Sequence, residues 1–243
     1  MQVASVRSER QHDVVSMTSA AIAVRPSPWL ESRFKRVLDI LIASATLVIL
    51  SPLLLLIMAA IRLTSKGPAI FKGPAIGKGC CQFTYFKFRS MRQNLKDDAH
   101  QQWLERFVKN NEPFALQKGE TGQVQPVYKR IDDPRITPLG RLLRKLSLDE
   151  IPQLWNVVRG EMSLVGPRPP IPAEFQHYSE REKARLACRP GITGLYQVTA
   201  RSQVPFERML EIDLEYIKSA SPWLDLNIVL RTPWAMLTGR GTG

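Results

Sequence analysis

The chain has 243 residues, enough for one sizeable core or a core with a short appendage. Its 34 Lys and Arg against 22 Asp and Glu give a formal net charge of +12, which reads as attraction to nucleic acid, an anionic membrane face or a phosphate-rich substrate. Three cysteines (Cys80, Cys81, Cys188) and three scattered histidines exclude a disulfide framework, a C-x-x-C zinc site and an H-E-x-x-H site. Reduced thiols in a cytoplasmic compartment are the plain reading, and neither a Walker A loop nor a G-x-G-x-x-G is present.

Residues 1–33 form a polar tail. From Ile40 to Ile61 the chain reads "ILIASATLVILSPLLLLIMAAI", an uncharged run of the length that spans a bilayer. It begins too far from Met1 to be an ordinary cleaved signal peptide. A run apolar on all sides has no face for water, which favours a membrane segment over a buried core helix. Pro52 removes a backbone hydrogen bond near its middle, and Ser51 is placed to satisfy a freed carbonyl. Arg33, Lys35 and Arg36 precede the run, and Arg62, Lys66, Lys72 and Lys78 follow it. Positive charge at both ends keeps both ends on the cytoplasmic side, so a re-entrant segment broken at Ser51-Pro52 is expected over residues 34–62. Residues 63–243 are then one cytoplasmic domain.

Gly and Pro in "KGPAIFKGPAIGKGCCQF" (66–83) mark turns around short strands. "FTYFKFRSM" (83–91) alternates as a strand and puts Lys87 and Arg89 on one face, where they either meet solvent or hold phosphate oxygens. A helix is expected over 94–111 and a polar loop over 112–127. Thr137 then caps a helix that has Pro138 at its first position and carries Arg141, Arg144 and Lys145.

"LSLDEIPQLW" (146–155) places Asp149 beside Glu150. Ser147-Leu-Asp-Glu150 fits a capping box, in which Glu150 bonds back to the backbone of Ser147. Pro152 disturbs that reading unless the helix starts nearer Asp149. Ile151, Leu154, Trp155 and Val158 form an apolar stripe, while Asp149, Gln153 and Asn156 share another face, away from the core. An ionised carboxylate at a helix start could serve as a nucleophile. Gly160 is placed to end the helix. In "MSLVGPRPPIP" (162–172) prolines restrain Arg168, which suits an arginine that must meet a phosphate in a fixed geometry. "CRPGITGLYQVTAR" (188–201) carries Arg189, Gln197 and Arg201 among turn residues. The stretch 209–230 is amphipathic and lies either on a membrane interface, with Trp223 at the boundary, or in the core.

These segments together resemble one family. "FKRVLDILIA", "SPLLLLI", "KFRSM", "DPRITPLGRLLRKLSLDEIPQLWNVVRGEMSLVGPRP", "RPGITGLYQV" and "WLDLNIVLRT" are similar, in order and spacing, to the bacterial sugar transferases, the monotopic phosphoglycosyl transferases. The resemblance runs from about Phe34 to Arg240 and places the chain with the short forms.

It implies transfer of a sugar-1-phosphate from a UDP-sugar to undecaprenyl phosphate, with release of UMP and initiation of exopolysaccharide or other glycoconjugate assembly. The setting it implies is the cytoplasmic face of the inner membrane, with Mg²⁺ required. Asp149 maps onto the family nucleophile, which forms an aspartyl phosphate, and Glu150 onto its partner. Asp149 and Glu150 are also the expected metal ligands, and the family's Ser-Pro break maps onto Ser51-Pro52. Lys87, Arg89, Arg144, Arg168, Gln197 and Arg201 are the substrate-binding candidates. Gly73, Ala75 and Ala200 depart from the residues many relatives carry.

The expected fold is α+β, predominantly helical with a small β-hairpin, a re-entrant membrane helix and interfacial amphipathic helices. Other polysaccharide-assembly enzymes and a second copy of the chain are candidate partners; nucleic acid is not. A hydrolase of nucleotide sugars or polyprenyl diphosphates, or a non-catalytic assembly scaffold, are the alternatives.

Overall fold

The computed structural model describes residues 24–92, 98–118, 124–128, 133–200 and 204–237. In chain order, a one-turn helix α1 (Pro28–Glu31) leads into α2 (Arg33–Thr64), then the hairpin β1 (Ile70–Ile76) and β2 (Gln82–Phe88). Helix α3 (Asp98–Asn110), strands β3 (Ala115–Lys118) and β4 (Val124–Val127), and helix α4 (Pro138–Lys145) follow. A 3-10 turn (Leu148–Gln153) runs into α5 (Leu154–Arg159), then β5 (Ser163–Val165), α6 (Pro172–Phe175) and α7 (Glu180–Lys183). The described chain closes with β6 (Gly191–Thr193), α8 (Leu195–Thr199), α9 (Phe206–Ser219) and α10 (Pro222–Leu237).

The fold is α+β and mainly helical, as expected. The strands form three pairs among the described residues: β1-β2 antiparallel, β3-β4 antiparallel and β5-β6 parallel. The β3-β4 pair corrects the polar loop expected at 112–127.

Helix α2 carries the apolar run, and few of its most apolar residues are buried. It is a membrane candidate rather than a core helix. The expected break at Ser51-Pro52 is not an unwound turn, for the helix continues through both residues. Pro52 has no N–H for the carbonyl of Val48, one turn earlier; the Ser51 hydroxyl donates to that carbonyl instead, at 2.8 Å. One polar side chain thus repairs the gap locally, and the helix need not open.

Both arms of α2 pack on the same body. Ala43 and Leu47 meet Leu154, Val157 and Met162. Ile57 and Ile61 meet Ala69, Phe88 and Leu143 beyond the proline. Between the arms, Val48, Ile49 and Leu53 are exposed. The first arm is held by charge as well. Lys35 pairs with Asp225 at 2.5 Å, Asp39 accepts from the Ser163 hydroxyl at 2.8 Å, and Arg36 donates to the carbonyls of Val157 and Val158. Asp225 also accepts from Trp29 and Tyr216, so these buried charges lie in a satisfied network.

The amphipathic stretch at 209–230 divides. Helix α9 buries Met209, Leu210, Ile212, Tyr216 and Ile217 in the core. Helix α10 buries Ile228 but exposes Trp223, Leu226, Leu230 and Trp234, a row at i, i+3, i+7 and i+11 along one side.

Candidate active site

The site is assembled around the turn that carries the paired carboxylates. Thr137 caps α4 as expected, accepting from the amide of Gly140 at 2.9 Å, with Pro138 at the first helical position. Gly140 is required by packing, because a Cβ there would collide with the backbone carbonyl of Ser90. This close approach seats α4 against the end of β2.

The chain then reverses at Ser147, which adopts a left-handed conformation (φ 52°, ψ 21°) and makes no capping bond through its side chain. The capping box is therefore not formed. Glu150 turns instead to β2, where its Oε1 lies 2.7 Å from Lys87 Nζ. Leu148–Gln153 is a 3-10 turn, so Asp149 does not sit at the start of an α-helix. Pro152 is tolerated within this short turn, and Gly160 (φ 89°) ends α5 as its position suggested.

The face on which Asp149 lies is also corrected. Asp149, Gln153 and Asn156 are all buried, whereas Trp155 of the apolar stripe is half exposed. The polar face is turned inward because the β1-β2 hairpin supplies its partners. Asn156, fully buried, donates to the carbonyl of Thr84 at 2.7 Å and accepts from the amide of Phe86 at 3.2 Å. Two backbone groups of β2 are thereby tied to the helix that follows the carboxylates, which fixes the turn against the strand carrying Lys87.

A cavity of about 500 Å³ opens in front of this turn. One part of its wall is charged: Lys87, Arg144, Asp149, Glu150 and Arg168. Another part is aromatic, with Trp103, Phe107, Tyr128 and Tyr196. Burial alone would make Lys87 give up its proton more readily, but the charge of Glu150, aided by Tyr85 and Asp149, outweighs it and raises the pKa. The ammonium also lies 5.4 Å from the centre of the Tyr85 ring. Lys87 is therefore a fixed cation beside both carboxylates.

Arg168 reaches the cavity from the proline-rich segment after β5. Its carbonyl accepts from Arg185 at 3.3 Å. Arg185 is itself anchored by Asp213 at 2.5 Å and by the Tyr178 hydroxyl at 2.8 Å. Beneath this segment Gly166 and Gly191 approach so closely that a Cβ on either would strike backbone of the other strand's region. Prolines, backbone contact and a buried ion pair together restrain Arg168.

The structure thus brings Lys87, Arg144, Asp149, Glu150, Arg168 and Gln197 to one cavity. Arg89 is not among its lining residues. It is buried, and one terminal nitrogen donates to the carbonyl and hydroxyl of Ser65, both at 2.7 Å, at the C-terminal end of α2. A cation suits the negative end of a helix. Arg201 lies outside the described residues. The Arg185–Asp213 pair, Asn156 and Asp39 carried no sequence signal of their own; only the spacing of Asn156 from Asp149 hinted at a shared face.

No group of three or more His, Cys, Asp or Glu able to hold a metal occurs among the described residues. Mg²⁺ is commonly held by one or two carboxylates together with substrate phosphates rather than by a protein cage, so adjacent carboxylates alone are of a kind that would suit it. Asp149 and Glu150 are the adjacent pair among the cavity's carboxylates, which also include Asp133 and Glu174.

The family model for bacterial sugar transferases matches residues 30–239. The chain belongs to that family. This sugar transferase is 39% identical over 220 residues to the exopolysaccharide production protein ExoY of Sinorhizobium fredii, covering 90% of this chain and 91% of that one. It is 40% identical over 215 residues to the UDP-glucose:undecaprenyl-phosphate glucose-1-phosphate transferase of Caulobacter vibrioides, covering 84% of this chain and 70% of that protein. It is 37% identical over 211 residues to the undecaprenyl-phosphate galactose phosphotransferase of Salmonella typhimurium, 42% of whose length it covers.

Proposed function

We propose that this sugar transferase moves a sugar-1-phosphate from a UDP-sugar to undecaprenyl phosphate, at the cytoplasmic face of a bacterial inner membrane, and so initiates a polysaccharide or glycoconjugate. The observation that carries the reading is the placement of Asp149 and Glu150 beside Lys87 in a cavity also lined by Arg144 and Arg168. A lone carboxylate would repel a diphosphate; this cluster of cations offsets that repulsion. The names of the Caulobacter and Salmonella relatives supply the acceptor and the donor class.

A carboxylate oxygen of Asp149 attacks the β-phosphorus, and the bond from that phosphorus to the bridging oxygen breaks. UMP leaves with the bridging oxygen, and the sugar phosphate stays on Asp149 as an acyl phosphate. An oxygen of undecaprenyl phosphate then attacks the same phosphorus, the bond to Asp149 breaks, and the carboxylate is restored. Two steps suit two substrates from different phases. Asp149 and Glu150 would hold Mg²⁺ with the phosphate oxygens, and the ion when bound supplies charge screening between carboxylate and phosphate. Lys87 orients Glu150, while Arg144 and Arg168 bind phosphate oxygens.

A bend at Pro52 would let α2 dip into the membrane and return without unwinding. The seating of both its arms on one body, with Val48, Ile49 and Leu53 exposed between them, favours a re-entrant course over a crossing. The cavity would then stand at the level of the lipid phosphate.

The test supplies a panel of labelled UDP-sugars with undecaprenyl phosphate. A lipid-extractable, diphosphate-linked sugar formed together with UMP is the expected result. Water-soluble sugar phosphate with no lipid product would instead make the protein a hydrolase.

A further inference from the structure

We infer that the C-terminal end of α2 and the outer side of α4 form one binding surface for anionic bilayer phospholipids, outside the substrate cavity. The inference rests on the membrane placement of α2 proposed above, and on a change of chemistry along one row of that helix. Val48, Pro52, Leu55 and Ala59 are exposed, and each lies three or four residues from the next. The same row continues into Arg62 and then Lys66, just past the helix, both exposed. From Leu55 to Arg62 the helix climbs about 10 Å. A stripe fit for hydrocarbon therefore gives way to cations at the depth where headgroups begin.

Helix α4 is held at that same level. Ile61, next to Arg62, is buried in one cluster with Leu143 and Leu139 of α4. Leu143 and Gly140 face inward and Arg144 faces the cavity. Arg141 and Lys145 are left exposed as one row, and Leu142 and Leu146 as the row beside it.

Two features choose the occupant. Leu63, Leu142 and Leu146 are 87, 53 and 40% exposed between the cations, which suits a surface that sinks into a headgroup layer rather than one that meets a soluble acidic partner. Arg62, Lys66, Arg141 and Lys145 are all exposed, and none forms an ion pair with another described residue, which suits contact with lipid phosphates. Four cations spread over the end of α2, the residues just past it and α4 match a layer of headgroups better than the single phosphate of one acceptor lipid.

The full-length protein is placed in nanodiscs of phosphatidylcholine mixed with phosphatidylglycerol, gently extracted, and its retained lipids are identified by native mass spectrometry. The parent should retain phosphatidylglycerol selectively, and the R62Q/K66Q/R141Q/K145Q variant should lose that selectivity, by up to about fivefold per cation removed. The R62K/R141K variant should keep it, and thermal melting of all three checks folding. Equal phosphatidylglycerol retention by parent and quadruple variant overturns the inference. So does retention of added undecaprenyl phosphate in place of phosphatidylglycerol. UMP release from UDP-sugar is measured in parallel: its absence in the parent would count against the functional reading alone, because lipid retention is read without turnover.

Discussion

Lys87 Nζ lies 2.7 Å from Glu150 Oε1, joining the β1-β2 hairpin to the turn that carries Asp149. The contact ties a strand cation to the carboxylate next to the proposed nucleophile. Lys87→Gln is expected to lower kcat by about 100-fold, the scale for losing one fixed group that stabilises transition-state charge. Lys87→Arg should recover only part of it, because a planar guanidinium does not reproduce the ammonium position. Steady-state kinetics in membranes or nanodiscs measure both.

Arg168 and Arg89 should separate cleanly. Arg168 lines the cavity, so Arg168→Gln should raise KM for the UDP-sugar and lower kcat. Arg89 instead closes the end of α2 through Ser65. Arg89→Gln should cost about 1–3 kcal/mol of stability and leave KM unchanged. Paired kinetics and melting curves on the two variants check the division.

Asn156→Leu should be among the most damaging neutral substitutions near the site. It strands the Phe86 amide and the Thr84 carbonyl, which Asn156 now satisfies. A buried group left without its partner costs about 1–3 kcal/mol, and here there are two. Melting in detergent with Asn156→Asp as comparison measures the loss. The Asp variant keeps an acceptor for Phe86 but sets a buried carboxylate against the Thr84 carbonyl and against Glu161, to which Asn156 now donates at 2.7 Å, so it should be no more stable than the Leu variant at neutral pH.

Asp213 gives a pH signature. Burial pushes its carboxyl up to about 6, against the pull of Arg185. The folded protein therefore holds this proton more tightly than the unfolded chain. The contribution is fully present below the ordinary carboxylate range and is lost as pH rises through about 6. It gives the stability curve a downward component of at most about 1.4 kcal/mol per pH unit between about 4 and 6. Asp213→Asn should remove that component while lowering stability at neutral pH, since Arg185 loses its counter-charge. Asp213→Ala should cost about 3–5 kcal/mol, the scale for breaking a buried pair. Melting temperatures followed across this pH range decide it.

What the sequence made legible were the features decided within a few residues. The Thr137-Pro138 start, the Gly160 stop, the existence of the strand that carries Lys87 and the apolar length of α2 are all of this kind. The capping box failed because Ser147 turns left-handed to reverse the chain and Glu150 pairs with Lys87 on β2, a partner far along the chain. The outward polar face failed because burial depends on partners far along the chain, here the backbone of Thr84 and Phe86. Lys87 and Arg89 parted for a similar reason. Their alternation holds only while the strand lasts, and β2 ends at Phe88. The Asp149-Glu150 pair was visible from its neighbours, whereas the Arg185–Asp213 support beneath Arg168 joins residues 28 apart in sequence.

The central claim is that Asp149 carries the sugar phosphate between the two substrates. It is tested by incubating the protein with UDP-sugar labelled in the β-phosphate, without any lipid acceptor, and mapping the label by peptide analysis. One UMP released per protein, with the label on the peptide containing Asp149 and both lost in Asp149→Asn, is the expected result. Label on another residue, UMP release with no label retained, or normal turnover by Asp149→Asn would contradict it.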